Sequence, residues 1–293
     1  MNLPHELLGV FPARPTGADK RSVGVVTIVG GSARYANAPV VAGLGARAAG
    51  AGLVQLVVPR ESRHCAGALL PEATFTELVA ELDLPRADVV AAGMGLGISA
   101  SSEVVVERLL GLSGRLVLDA DALSILASCC ANGRYRPTDG QELVLTPHEG
   151  EAARLLGVLR EEVASDRRGA VLEIASRYGA TAVLKGPGTL VAAADGSRIY
   201  ENGTGNPFMA LGGMGDLLAG AIAARWARIK GPAFDAAAGA VWLHGAASDA
   251  LVGNFGDPSL ANTAAAIGSL RVRLETGAGK QNKETDNDGN NKL

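Results

Sequence analysis

Short, continuously apolar runs alternate with helical stretches along most of the chain. The runs are Val23 to Val29, Leu53 to Val58, Asp88 to Ala92, Arg115 to Leu118, Glu142 to Leu145 and Thr181 to Leu184. They are β-branched and do not alternate with polar residues, the pattern of parallel strands buried on both faces. The helical stretches between them supply right-handed crossovers. Ala38 to Ala51 reads as a helix of small residues. Leu190 to Ala194 and Arg198 to Glu201 flank Asp195-Gly196, a hairpin signal, so antiparallel strands should follow the last parallel run. Helices are expected near 214–228, 234–252 and 258–274. The predicted fold class is α/β: a mostly parallel central sheet with helices on both faces.

Composition narrows the picture. The 293 residues are 47% hydrophobic and 19% charged, enough to fill a large core. A net charge of −3 argues against a general nucleic-acid or anionic-membrane binder. No segment offers the roughly 18 uninterrupted apolar residues of a membrane span, and the first twenty or so residues lack an apolar stretch of signal length. The 3 cysteines form no disulfide framework, and no Cys/His cluster has zinc spacing. The chain therefore reads as a soluble protein of a reducing compartment, expected in the cytoplasm. Residues 276–293 are polar, rich in Gly, Asn, Asp and Lys, and are expected to be a disordered tail.

In an open parallel sheet, ligands sit outside the carboxyl ends of the strands. Those ends carry the unusual residues here: Gly30-Gly31-Ser32, Gly93 to Gly97, Asp119 with Asp121, Thr146 to Glu151, and Lys185 to Thr189. The sixth run is followed by a further glycine-rich stretch, Asn202 to Pro207, then Gly212-Gly213-Met214-Gly215-Asp216 and an apolar helix. Such a loop turns backbone N–H groups toward an anion, and the helix N-terminus adds its positive dipole end. Asp216 is then either a helix-terminal charge or a base beside a phosphate nest. Lys185 is a surface-turn residue or a point charge for phosphate. Thr146 is a candidate helix cap, with Glu149 at capping-box spacing, which leaves His148 as a first-turn residue or a hydrogen-bonding group for a substrate. Asp119 and Asp121 suit Mg²⁺ held mostly through water, or Asp121 caps the next helix. His5, His64 and His244 read as structural or exposed. There is no Walker A loop, and Gly93 to Gly97 matches a dinucleotide fingerprint poorly because its third glycine comes too early.

Taken in order, Gly30-Gly31-Ser32 with Asn37-Ala38, the Gly93–Gly97 loop, Asp119 to Leu123, Thr146 to Glu151, Lys185 to Thr189 and Gly205 to Asp216 resemble the ADP-dependent (S)-NAD(P)H-hydrate dehydratases of the ribokinase-like superfamily. The resemblance covers about residues 18–275. It implies a three-layer α/β/α sandwich, with 1–275 as a single domain. It implies dehydration of the S-epimer of hydrated NADH or NADPH (NADHX, NADPHX), with ADP or ATP as phosphoryl donor and Mg²⁺ on the donor phosphates. By the same resemblance Ala38, Gly95, Gly97, His148 and Asp216 contact the hydrated nucleotide. Lys185, Gly186, Pro187, Gly188, Thr189 and Gly215 hold the AMP portion of the donor. Asp216 is the base, and no side chain is assigned as a metal ligand. An NAD(P)HX epimerase on another chain and a homo-oligomer, a tetramer, are also implied. The chain departs from the family pattern at Phe208, where Gly is usual, and at Leu211, where Thr or Ser is usual. Two other readings share the anion nest: a vitamin or sugar kinase of the same superfamily, and a nucleotide-binding sensor without catalysis.

Overall fold

A computed structural model describes residues 3–81, 84–131 and 138–277. Its strands are β1 (Val25–Val29), β2 (Leu53–Val58), β3 (Thr74–Glu77), β4 (Val89–Ala92), β5 (Gly114–Leu118), β6 (Gln141–Leu145), β7 (Thr181–Leu184), β8 (Leu190–Ala192) and β9 (Ile199–Glu201). Its helices are α1 (Ala38–Ala48), α2 (Ser62–Leu69), α3 (Ala100–Leu110), α4 (Asp121–Ala131), α5 (Glu149–Leu156), α6 (Arg160–Ser165), α7 (Arg167–Tyr178), α8 (Met214–Ile229), α9 (Ala233–Gly253) and α10 (Leu260–Glu275). The strands form one sheet in the order β3-β2-β1-β4-β5-β6-β7-β8-β9. Every pairing from β3 to β7 is parallel, and β7-β8-β9 is antiparallel. The expected strands are all present, and so is the hairpin across Asp195-Gly196. β3 is an addition to the expected set. Its residues, Thr-Phe-Thr-Glu, are half-buried or exposed, so this edge strand lacks an apolar run. The tail, beyond Thr276 and Gly277, lies outside the described residues.

Side chains on the central strands divide by the two-residue period of the pleat. Ile28, Val117, Val144 and Val183 pack with α1, α8 and α9 on one face. Val29, Leu118, Leu145 and Leu184 pack with α3, α4, α5 and α7 on the other. Helices therefore cover both faces, as a sheet buried on both sides requires. The register β1↔β4↔β5↔β6↔β7 brings the carboxyl ends of these strands to one edge. α8 reaches that edge with its N-terminus because it lies directly on α1. A side chain at Gly45 would collide with the Leu217 carbonyl, and one at Gly220 with the Ala42 carbonyl. The alanine and glycine excess is thus spent on a close helix–helix contact that places Gly213 to Asp216 over the sheet edge.

Candidate active site

Asp119 follows β5 and is 1% exposed. Its Oδ1 accepts from Thr146 Oγ1 at 2.8 Å and from Lys185 Nζ at 2.5 Å. The Lys185 ammonium also lies 3.8 Å from Glu151 Oε2. Burial works against its charge, but Asp119, Glu151 and Asp216 together outweigh that, so the ammonium is held above its ordinary value. A Cβ at Gly215 would stand 3.3 Å from Lys185 Nζ, so the ammonium abuts the first turn of α8. Lys185 is therefore no surface-turn residue. It joins the ends of β5, β6 and β7 to the helix N-terminus.

Asp216 sits in that first turn, half-buried. The N-cap position belongs to Gly213, in the left-handed region at φ 93°, and no side chain caps the helix. Among the described residues no hydrogen bond reaches the Asp216 carboxylate. Burial, then the charge of Asp119, with smaller contributions from Asp121 and Glu151, pushes its carboxyl up to about 7 against the pull of Lys185. An unpaired carboxylate titrating near neutrality, beside a cation and a helix N-terminus, has the properties of a general base.

The other predicted residues arrange around this centre with corrections. His148, not Thr146, is the N-cap of α5. Its Nδ1 accepts from Gly150 N at 2.9 Å and Glu151 N at 3.4 Å, and Glu151 Oε2 accepts from His148 N at 2.8 Å. The capping box therefore pairs His148 with Glu151 rather than Thr146 with Glu149. Thr146 is drawn under the edge by Asp119. With Nδ1 accepting, the neutral ring carries its proton on Nε2, 3.5 Å from Glu151 Oε1, on a side chain that is 56% exposed. Asp121 is the first residue of α4, and its Oδ2 accepts from Gly97 N at 2.7 Å, which pins the Gly93–Gly97 loop. Ala38 and Gly95 are brought together, since a Cβ at Gly95 would lie 2.9 Å from Ala38 Cβ. Gly186, Pro187 and Gly188 form an exposed turn, closed by Thr189 Oγ1 donating to Gly186 O at 2.8 Å.

Two supports went unnoticed in the sequence. Arg167 underlies the Lys185–Gly188 turn, with Nη1 2.7 Å from Glu149 Oε1 and Nη2 donating to Leu184 O at 3.3 Å. Asp249 on α9 ties down the loop before α8, accepting from Gly205 N and Asn206 Nδ2, each at 2.8 Å. Both join segments far apart in sequence, where local spacing carries no signal. Phe208 and Leu211 project from this loop, 63% and 47% exposed. His244 is buried with Nε2 unpartnered, and burial alone lowers its ring to about 4, so it is a neutral core residue.

The family model for NAD(P)H-hydrate dehydratase matches residues 26–268, a span that contains every residue of this cluster. The chain belongs to the NAD(P)H-hydrate dehydratase family. An ADP-dependent (S)-NAD(P)H-hydrate dehydratase from Neisseria meningitidis is 40% identical over 86% of this chain and 83% of its own length. A bifunctional NAD(P)H-hydrate repair enzyme from Vibrio cholerae is 38% identical over 84% of this chain, which spans only 48% of that relative. The crystal structure of the ADP/ATP-dependent NAD(P)H-hydrate dehydratase from Bacillus subtilis, co-crystallised with ATP/Mg²⁺, superposes with a TM-score of 0.82 at 28% identity, covering 94% of this chain and 100% of that one. The architecture of this family member is ribokinase-like. Among the described residues no helix is long and apolar enough to cross a membrane.

Proposed function

We propose that this family member restores NADH or NADPH from the S-epimer of the hydrated cofactor, NADHX or NADPHX, using ADP as phosphoryl donor and releasing AMP and phosphate. The observation that carries the reading is the unpaired Asp216 carboxylate, pushed up to about 7 beside Lys185 and the α8 N-terminus. Asp216 takes the proton of the ring hydroxyl as its oxygen attacks the terminal phosphorus of the donor. The N–H groups at Gly213–Asp216 and the Lys185 ammonium stabilise charge on the transferring group. Phosphate is then a far better leaving group than hydroxide. The ring nitrogen lone pair expels it to leave an iminium, and loss of a proton from the neighbouring ring carbon to the departing phosphate or to water restores the dihydropyridine.

Ala38, Gly95 and Gly97 line the hydrate side of the site, with His148 Nε2–H offered to a polar edge of the substrate. Lys185 to Thr189 and Gly215 hold the AMP portion of the donor. The donor set also bears on Mg²⁺. Among the described residues no group of three or more His, Cys, Asp or Glu is arranged to hold a metal, and Asp119 and Asp121 are engaged by Lys185, Thr146 and Gly97. The residues fit a cation that arrives on the nucleotide phosphates, where it neutralises their charge. We further propose one catalytic domain over 1–275, a cytoplasmic location, a homotetramer and an epimerase partner on a separate chain. The relatives called bifunctional, of which this chain spans about half, support the need for a second activity.

Purified protein incubated with (S)-NADHX and ADP should regain the absorbance of the reduced ring, with one phosphate released per ring restored. A stable phosphorylated product without ring recovery would assign the site to a small-molecule kinase instead. Binding of ADP with no phosphate release on either hydrate would assign it to a sensor.

A further inference from the structure

We propose that Asp119, oriented by Thr146, is a positioning residue that holds the Lys185 ammonium away from Asp216 and so leaves the base carboxylate unpaired. The inference rests on the reading of Asp216 as base. Lys185 stands between two carboxylates of unequal standing. Asp119 is 1% exposed and takes the ammonium at 2.5 Å. Asp216 feels the same ammonium only through space and makes no hydrogen bond with any described residue. The Thr146 hydroxyl, 1% exposed, donates to the oxygen of Asp119 that accepts from Lys185 and fixes its direction. Without that anchor, the ammonium would be left to Glu151, 3.8 Å away, and to Asp216, whose charge it already feels. An ion pair with Asp216 would lower its affinity for the proton it must accept.

Four charges face Asp216: Asp119 from the end of β5, Asp121 from α4, Glu151 from α5 and Lys185 from the end of β7. Removing the Asp119 charge acts twice in one direction. A repelling carboxylate is lost, and Lys185 is released toward Asp216. Both make Asp216 easier to ionise and a weaker base.

The test compares wild type with Asp119→Asn, Thr146→Val and Thr146→Ser. The Asp216 carboxyl is titrated by ¹³C NMR without any hydrate present, and hydrate repair is followed against pH. In Asp119→Asn the Asp216 midpoint should fall by at least about one unit. The acid limb of kcat/KM should follow it, kcat should fall about tenfold or more, and the KM for ADP should change by less than about threefold. A merely structural role would lower the melting temperature and leave that limb in place. Thr146→Val should lower kcat several-fold, and Thr146→Ser should restore it. That pair keeps the inference testable if the buried carboxamide impairs folding. An unmoved Asp216 midpoint in Asp119→Asn, or full kcat in Thr146→Val, overturns it. Loss of the acid limb in Asp119→Asn with turnover retained in Asp216→Asn would make Asp119 the base and overturn it too. If wild type repairs no hydrate, the functional reading fails on its own, while the NMR midpoints still decide whether Asp119 sets the state of Asp216.

Discussion

Two buried cation–carboxylate clusters lie along α8, one at Asp216 in its first turn and one at Arg225 in its second half, and they serve opposite ends. Near its C-terminus Arg225 is fully buried. Nη1 bonds Glu275 Oε1 at 2.7 Å and Ala49 O at 3.3 Å, Nη2 bonds Val10 O, and the guanidinium stacks 4.6 Å from the Phe11 ring centroid. The second oxygen of Glu275 goes to Arg271 at 2.7 Å. Burial draws the guanidinium down to about 10 despite Glu275, yet it stays charged and joins the N-terminal segment, α1, α8 and α10. Both oxygens of that carboxylate are occupied. At the N-terminal end the ingredients are similar, but one carboxylate too many is present. Asp119 satisfies Lys185 and Asp216 is left over. A closed cluster ties elements together; an open one beside a helix N-terminus keeps a proton acceptor at hand.

The largest expected effect opens the comparison at the catalytic end. Asp216→Asn should bind ADP normally and lose turnover by roughly 10²–10⁴, the scale of general-base removal. Near-normal turnover would put the base elsewhere. At the other end, Glu275→Gln leaves Arg225 without its counter-charge. Breaking a buried pair from one side costs about 3–5 kcal/mol. Thermal melts should fall by about 10 °C on the scale of roughly 2–4 °C per kcal/mol for a chain of this size, with KM values at low temperature unchanged. A shift in KM without loss of stability would mean that the two clusters are not separable.

How much of this was legible depends on whether the deciding contacts are local. The core strands announced themselves because burial on both faces leaves no polar positions, and the β8–β9 hairpin because Asp195-Gly196 suits a tight turn. β3 gave no such signal, since an edge strand has only one neighbour and its Thr and Glu residues face water. The sheet edge could be assembled from glycines and charges at strand ends. Which charge meets which could not. Asp119 and Lys185 are 66 positions apart, and Asp249 is 44 from Gly205. The cap of α5 was misplaced for a related reason. Thr146 and His148 flank Pro147 with equal local claims, and only the buried Asp119, absent from any local view, draws Thr146 away.

A third effect concerns stability at the open cluster. The Asp216 carboxyl moves from 3.8 to about 7 in the folded chain. The folded state binds this proton more tightly than the unfolded state does. Its contribution to stability therefore declines as pH rises from about 4 to about 7, and the loss persists above that. Asp216→Asn carries no such penalty. The variant should gain on wild type across this window and be more stable at pH 8 by on the order of 2 kcal/mol, a figure reduced from the full shift because the side chain is only half-buried. Melts of the two proteins that run parallel from pH 4 to 8 would show the carboxyl to be unperturbed.

The smallest effect separates the two roles of Lys185. Its ammonium touches Asp119 and borders Gly215, where the donor is held, while it also draws the Asp216 carboxyl downward. Lys185→Ala should raise the KM for ADP by about tenfold, the loss of one charge-assisted contact, and the KM for the hydrate by less. With the Lys185 charge that draws Asp216 downward gone, the acid limb of kcat/KM should move to higher pH, opposite to its movement in Asp119→Asn. The sign matters more than the size. Two variants that each remove one partner of the same ion pair would weaken the protein alike if the pair were only a fastening, as Arg225 with Glu275 is. Opposite displacements of one titration show instead that the pair sets the charge state of a third group, and equal displacements would return Lys185 and Asp119 to the class of structural links.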